Sequence, residues 1–126
     1  MKVVVFIIIS LALIIGFGIV TTALINSSAE ELTTYINNLE KHIAEEKWQE
    51  SRQNIGEISK LWSKTKKNWL LFLDHQEIDN IDLTYARLNK YIEAQDLPSA
   101  LAEVAALKLL VKHIPDISAL TLRNIF

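Results

Sequence analysis

From Val3 to Ile25 the chain carries no charged residue; its polar side chains there are Ser10, Thr21 and Thr22, and Gly16 and Gly18 interrupt the aliphatic run. A core helix of a globular bundle shows a polar face at helical spacing, and this stretch shows none. As a helix, at about 1.5 Å per residue, it reaches roughly 34 Å, enough to cross a hydrocarbon layer of about 30 Å with modest tilt. The pattern predicts a transmembrane anchor within residues 1–26. The alternative is a cleaved signal peptide, since Ser27 and Ala29 put small residues at −3 and −1 of a site after Ala29. The apolar run is longer than the roughly 7–15 residues usual in such leaders, and Lys2 alone charges its front, so the retained anchor is the preferred reading. No cysteine follows the run, which excludes a lipoprotein anchor.

Beyond residue 26 the pattern changes to apolar positions recurring every three or four residues, and no segment alternates with period two. Ser28-Ala29-Glu30-Glu31 reads as a capping box that opens a new helix, with Leu32, Tyr35, Ile36, Leu39 and Ile43 on its inner face. A longer helix follows, in which Trp48, Ile55, Trp62 and Trp69 recur every seven residues beside Ile58, Leu61, Phe72 and Leu73. Tryptophans at that spacing predict core packing rather than a ligand cage. A third helix is expected from Asp79, with Asp82 in its first turn and Ile81, Tyr85, Leu88 and Ile92 inward. Asp96 and Pro98 read as the cap and first turn of a fourth helix lined by Leu101, Val104, Leu107, Leu110, Val111 and Ile114, which Pro115 is expected to end.

An internal similarity supports this division. Leu39-Glu40-Lys41-His42-Ile43 before Trp48 matches Leu88-Asn89-Lys90-Tyr91-Ile92 before Leu97, and the same offset aligns Ile55 with Val104, Ile58 with Leu107 and Leu61 with Leu110. It places a first turn near Glu46-Lys47, opposite Gln95-Asp96. Two copies are too few for a solenoid. The expected fold is all-α: an N-terminal transmembrane helix, then a four-helix bundle made of two helical hairpins over residues 27–126.

Charge adds direction. Lys2 lies on one side of the apolar run, while Glu30 and Glu31 are the first charges on the other and the next basic residue is Lys41. The positive-inside rule then puts the N-terminus in the cytoplasm and the helical domain outside, as a single-pass protein of the cell membrane. With Lys2 set aside, twelve basic residues face fifteen acidic ones, which argues against a nucleic-acid partner. There are no cysteines, so no disulfide enters the fold.

The densest polar string runs from Asp74 through His75, Glu77 and Asp79 to Asp82. Four carboxylates and an imidazole are donors a hard divalent cation accepts, so Asp74, His75, Glu77 and Asp79 are the candidate metal ligands. The string lacks the glycine and odd-position rhythm of an EF-hand loop and the Glu-x-x-His pairs of di-iron bundles, and the favoured reading is a junction whose acids cap the third helix. His42 and His113 have no partner motif, and Lys60, Lys64, Lys66 and Lys67 around the tryptophans read as a solvated face. No glycine-rich phosphate loop, nucleophile elbow or HExxH motif is present. No cofactor and no catalytic residues are therefore expected.

Trp69-Leu70-Leu71-Phe72-Leu73-Asp74-His75-Gln76-Glu77-Ile78-Asp79-Asn80-Ile81, with His113-Ile114-Pro115 and the ending Leu122-Arg123-Asn124-Ile125-Phe126, resembles the bacterial domain-of-unknown-function family 4363 over nearly the whole chain. The resemblance implies a short envelope protein with one N-terminal apolar segment, of the kind found in Gram-positive, largely spore-forming bacteria, and carries no activity over. It singles out the Asp74–Asp79 string and the Leu122–Phe126 tail, where Ile125 and Phe126 are expected to dock into a groove of the bundle, the alternative being a hydrophobic terminus presented to a partner. Taken together, the sequence predicts a non-enzymatic interaction module, tethered to the bilayer and accessory to an integral membrane protein. The alternative is a metal- or ligand-binding sensor domain using the Asp74–Asp82 junction.

Overall fold

The computed structural model describes the backbone of residues 1–125 and the side chains of residues 1–120 and 123. Four helices follow one another: α1 (Lys2–Ala44), α2 (Trp48–Trp69), α3 (His75–Glu93) and α4 (Leu97–Ile125). Among the described residues there is no strand. The four pack as a bundle in which α1 lies against α2 and α4, α3 lies against α4, and α2 meets α3 more thinly. The core is built from the expected stripes, with Leu32, Ile36, Leu39 and Ile43 of α1 facing Ile55, Ile58 and Trp62, Ile81, Leu88 and Ile92, and Val104, Leu107 and Val111.

The first helix differs from expectation. Ser28 does not cap a new helix; α1 runs through it without a break for 43 residues. The Ser28 hydroxyl donates instead to the Leu24 carbonyl at 2.9 Å, one turn back. Thr21, Thr22, Thr33 and Thr34 do the same to the carbonyls four residues before them. No glycine or proline lies between Gly18 and Ala44, so the chain meets no breaker there and a hydroxyl has a backbone acceptor in the helix interior. Burial begins at Gly18 and Thr21 and continues through Ile25 and Ala29, so the bundle already covers one face of α1 inside the apolar stretch. The boundary expected between residues 26 and 27 thus falls in the middle of a helix.

Two turns close the end of the bundle away from the apolar run, and they are nearly identical. Glu46 and Gln95 take positive φ, 55° and 54°. Around each, a 6→1 bond (Lys47 N–H to His42 O, 2.9 Å; Asp96 N–H to Tyr91 O, 3.0 Å) pairs with a shorter-range bond from the preceding residue. This is a Schellman-type ending with a non-glycine residue at the left-handed position. The turns fall where the internal similarity placed them, and the aligned pairs Leu39/Leu88, Ile43/Ile92, Ile55/Val104 and Ile58/Leu107 are all buried.

At the opposite end α2 stops at Trp69, short of Phe72 and Leu73, in a tight turn where the Phe72 and Leu73 amides donate to the Trp69 carbonyl. The third helix starts earlier than Asp79: Asp74 is the extended N-cap, and its Oδ1 accepts from the Gln76 amide at 3.1 Å. An earlier start brings Ile78 into the core, where it is buried with Ile81. Asp96 caps α4 as expected, accepting from the Ser99 amide at 3.3 Å and hydroxyl at 2.7 Å. Pro115 does not end α4, which continues to Ile125. Proline forfeits the bond its amide would give Val111, but Ile114 and Ser118 remain buried on the same inner face. Packing on the long first helix outweighs the loss of one local hydrogen bond.

Candidate functional site

The Asp74–Asp82 junction takes its geometry from its place at the start of α3. Asp74 is occupied as the N-cap, while His75 and Asp79 are exposed and Glu77 is half-buried in the first turn. Among the described residues no three of His, Cys, Asp and Glu are grouped to hold a metal ion. The four candidate ligands are therefore not brought together: on a helix, residues 75 and 79 share a face while residue 77 points elsewhere.

Asp82 turns inward instead. Its Oδ1 accepts from the Trp62 indole N–H at 2.7 Å, and its Oδ2 from the Lys66 ammonium at 2.5 Å. The Trp62 and Trp69 rings meet edge to face with centroids 5.5 Å apart. Both rings are buried, so the seven-residue tryptophan rhythm is core packing, as its spacing predicts. Lys66 is thereby drawn from the solvated face into a pair that spans α2 and α3, while Lys60, Lys64 and Lys67 stay exposed. The sequence pattern puts Asp82 in the first turn of the third helix and does not reveal this role, because the signal lies in partners sixteen and twenty residues away.

The remaining polar links join helices in the same way. Tyr85 donates to the Ile55 carbonyl at 3.1 Å, and Lys108 of α4 pairs with Glu40 of α1 at 2.9 Å. His42 Nδ1 is bonded to Asn54 Oδ1 across the α1–α2 interface, while His75 and His113 are exposed and apart from it. In the α1–α2 turn, Glu45 and Lys47 pair at 2.8 Å. The hydrogen bond and charge of Lys47 hold the Glu45 carboxyl below its usual range, and those of Glu45 raise the Lys47 ammonium above its own.

Among the described residues the centre of the bundle is closely packed. The void among Leu32, Trp62, Tyr85 and Leu107 measures only about 10 Å³, at most the space of one water. A wider concavity, about 550 Å³ and open, runs along the α1–α4 surface between Asn26, Glu30, Thr33, Thr34, Lys112 and Pro115. It joins a carboxylate and an ammonium on walls otherwise made of an amide, two hydroxyls, Ala29 and Pro115, and it lies just beyond the apolar run of α1. No sequence motif marks it, since one wall comes from Asn26 to Thr34 and the other from Lys112 and Pro115, far apart in the chain.

The apolar part of α1 stands apart from the bundle. Val3 to Phe17 are exposed apart from half-buried Ser10, and α1 is, among the described residues, the one helix long and apolar enough, by length and composition, to cross a membrane. Where the bundle begins, Phe17 meets Phe72 of the α2–α3 turn with ring centroids 5.9 Å apart. Of the two tail candidates, Phe126 and the side chain of Ile125 lie outside the described residues.

A helical bundle whose first helix continues as a long, bare apolar rod, with no grouped metal ligands among its described residues, is the class of protein these features define. The chain belongs to the family described as Domain of unknown function (DUF4363), whose model matches residues 19–125. The match begins one residue after Gly18, where burial of α1 begins. No curated protein and no solved structure matches the chain.

Proposed function

We propose that this protein is a single-pass, membrane-anchored interaction module of the bacterial cell envelope, accessory to an integral membrane protein and without catalysis of its own. The observation that carries the reading is the continuity of α1: one helix is bare and apolar from Val3 to Phe17 and forms a wall of the bundle from Gly18 to Ile43. A bundle fused in this way to a bilayer helix is held at fixed height and orientation, which suits a presenter of a surface. The N-terminus is cytoplasmic and the bundle is outside, from the charge asymmetry across the run. The bundle is two copies of one helix-turn-helix hairpin, in keeping with the matched turns at Glu46 and Gln95.

Retention of the segment is favoured by its burial. Cleavage after Ala29 would remove Ile25 and Ala29 from the core, where they are 2% and 3% exposed. A cysteine at Glu45 should react with impermeant thiol reagents on whole cells, and labelling only after lysis would reverse the topology. The partner surface is the groove beside Glu30, Thr34 and Lys112. A photo-crosslinker at Thr34 in intact membranes should give one discrete adduct with an integral membrane protein, absent with the crosslinker at Gln49. Monomer alone from both positions, while neighbouring proteins do crosslink, would overturn the accessory role.

A further inference from the structure

The bundle overlaps the apolar run, and the overlap has a consequence for where the bundle sits. Val3 to Phe17, the part of α1 that stands free, measures roughly 22 Å as a helix, short of the ~30 Å of a hydrocarbon layer. The apolar exposed surface of α1 continues through Ile19, Val20 and Leu24 and becomes polar at Asn26 and Ser27. From Gly18 to Ile25, about 12 Å of helix, the rod is thus apolar on its open face and covered by the bundle on the other.

What the α2–α3 turn presents at that level is apolar too, while the exposed Arg123 near the end of α4 is a long side chain able to carry its charge toward the headgroups. Phe72 reaches back to Phe17 itself, and Leu71 beside it is 75% exposed, although both are large aliphatic or aromatic groups at a tight turn. α4 runs antiparallel to α1, with Lys108 on Glu40 and Pro115 beside Ala29, a register that brings the exposed Leu120 to the level of Leu24. Charge returns directly on either side of the turn, at Lys66 and Lys67 before it and Asp74 and His75 after it. Apolar tip, polar shoulders and a level set by contact with the rod describe a group seated in a bilayer interface.

We infer that the α2–α3 turn is a second membrane contact, with Leu71 and Phe72 immersed in the shallow acyl region, about 8 Å inside the headgroup boundary, so that the bundle is sunk by its apolar end rather than carried clear on a stalk. The inference rests on the anchor reading above, and the occupant is lipid. It accounts for the missing ~8 Å of the span, because residues 18–25 then complete the crossing beside the embedded turn.

The chain has no cysteine of its own, so single reporters are clean. Full-length Leu71→Cys, Ile9→Cys and Gln49→Cys, each carrying bimane, are placed in phosphatidylcholine vesicles containing lipid spin-labelled at a shallow acyl position. Leu71 is expected to lose fluorescence to the shallow label, Ile9 to a deep one, and Gln49 to neither. Quenching at Ile9 with none at Leu71 would overturn the embedded turn and leave the anchor standing. No quenching at Ile9 by a deep label would remove the anchor and this inference with it. Leu71 is exposed, so its replacement leaves the core intact, and an unchanged helical circular dichroism spectrum verifies that.

Discussion

At the scale of single residues the bundle is organised by a few side chains that bond across helices. Trp62 fills the core and gives its indole N–H to Asp82, which also holds Lys66. Trp62→Ala is expected to cost about 3–5 kcal/mol in chemical denaturation, from lost packing. Trp62→Phe keeps most of the ring but leaves the carboxylate one donor short, and should cost about 1–2 kcal/mol for that reason. An alanine variant of unchanged stability would move the stripe from core to binding surface. The exposed Glu45–Lys47 pair predicts a sign rather than a size. The folded carboxyl is lowered, so its stabilisation is present above the unfolded-state value near 4.5 and is lost as pH falls through the lower folded value. NMR titration should show the Glu45 midpoint rising toward its ordinary value in Lys47→Met.

At the scale of elements, local signals and tertiary packing compete, and packing wins at three places. Ser28-Ala29-Glu30-Glu31 has the composition of a helix start but sits inside α1. Pro115 has the chemistry of a stop but sits inside α4. Asp79 is an acceptable cap, yet Asp74 is used because the earlier start buries Ile78. The first of these is testable by a substitution that the two readings treat differently. Proline at exposed Glu30 would be tolerated in a first helical turn, as Pro98 is in α4. In the interior of a continuous α1 it removes a backbone bond and clashes with the preceding turn, costing about 3 kcal/mol or more. Unfolding of full-length Glu30→Pro in detergent, followed by circular dichroism, should show that loss; stability equal to the parent would mean the helix begins at Ser28.

At the scale of the whole molecule, the continuity of α1 turns a helix length into a height. From the end of the apolar surface at Leu24 to the turn at Glu46, α1 measures roughly 30 Å. If α1 stands across the bilayer, a donor on Glu46→Cys should sit about that far from acceptors at the membrane surface, as measured by energy transfer in vesicles. A bundle lying flat on the lipid would bring the donor much closer. The void at the bundle centre is only about 10 Å³, and the surface proposed above for a partner is the α1–α4 groove.

Much of this was legible before any coordinates. The unbroken apolar run, the inner faces of all four helices, the tryptophan stripe, the Asp96 cap and both distal turns follow from periodicity, composition and an offset that aligns the chain with itself. These are properties of neighbours in sequence, where side-chain spacing alone decides which residues share a face. The tertiary structure alone decided which breakers and caps were used, because that depends on whether a long partner helix lies alongside. It alone turned Asp82 inward to Trp62 and Lys66, set Lys112 opposite Glu30 across a groove, and brought Phe72 back onto Phe17. Each of these joins residues far apart in the chain, and a one-dimensional pattern carries no information about distance between its ends until the helices have packed.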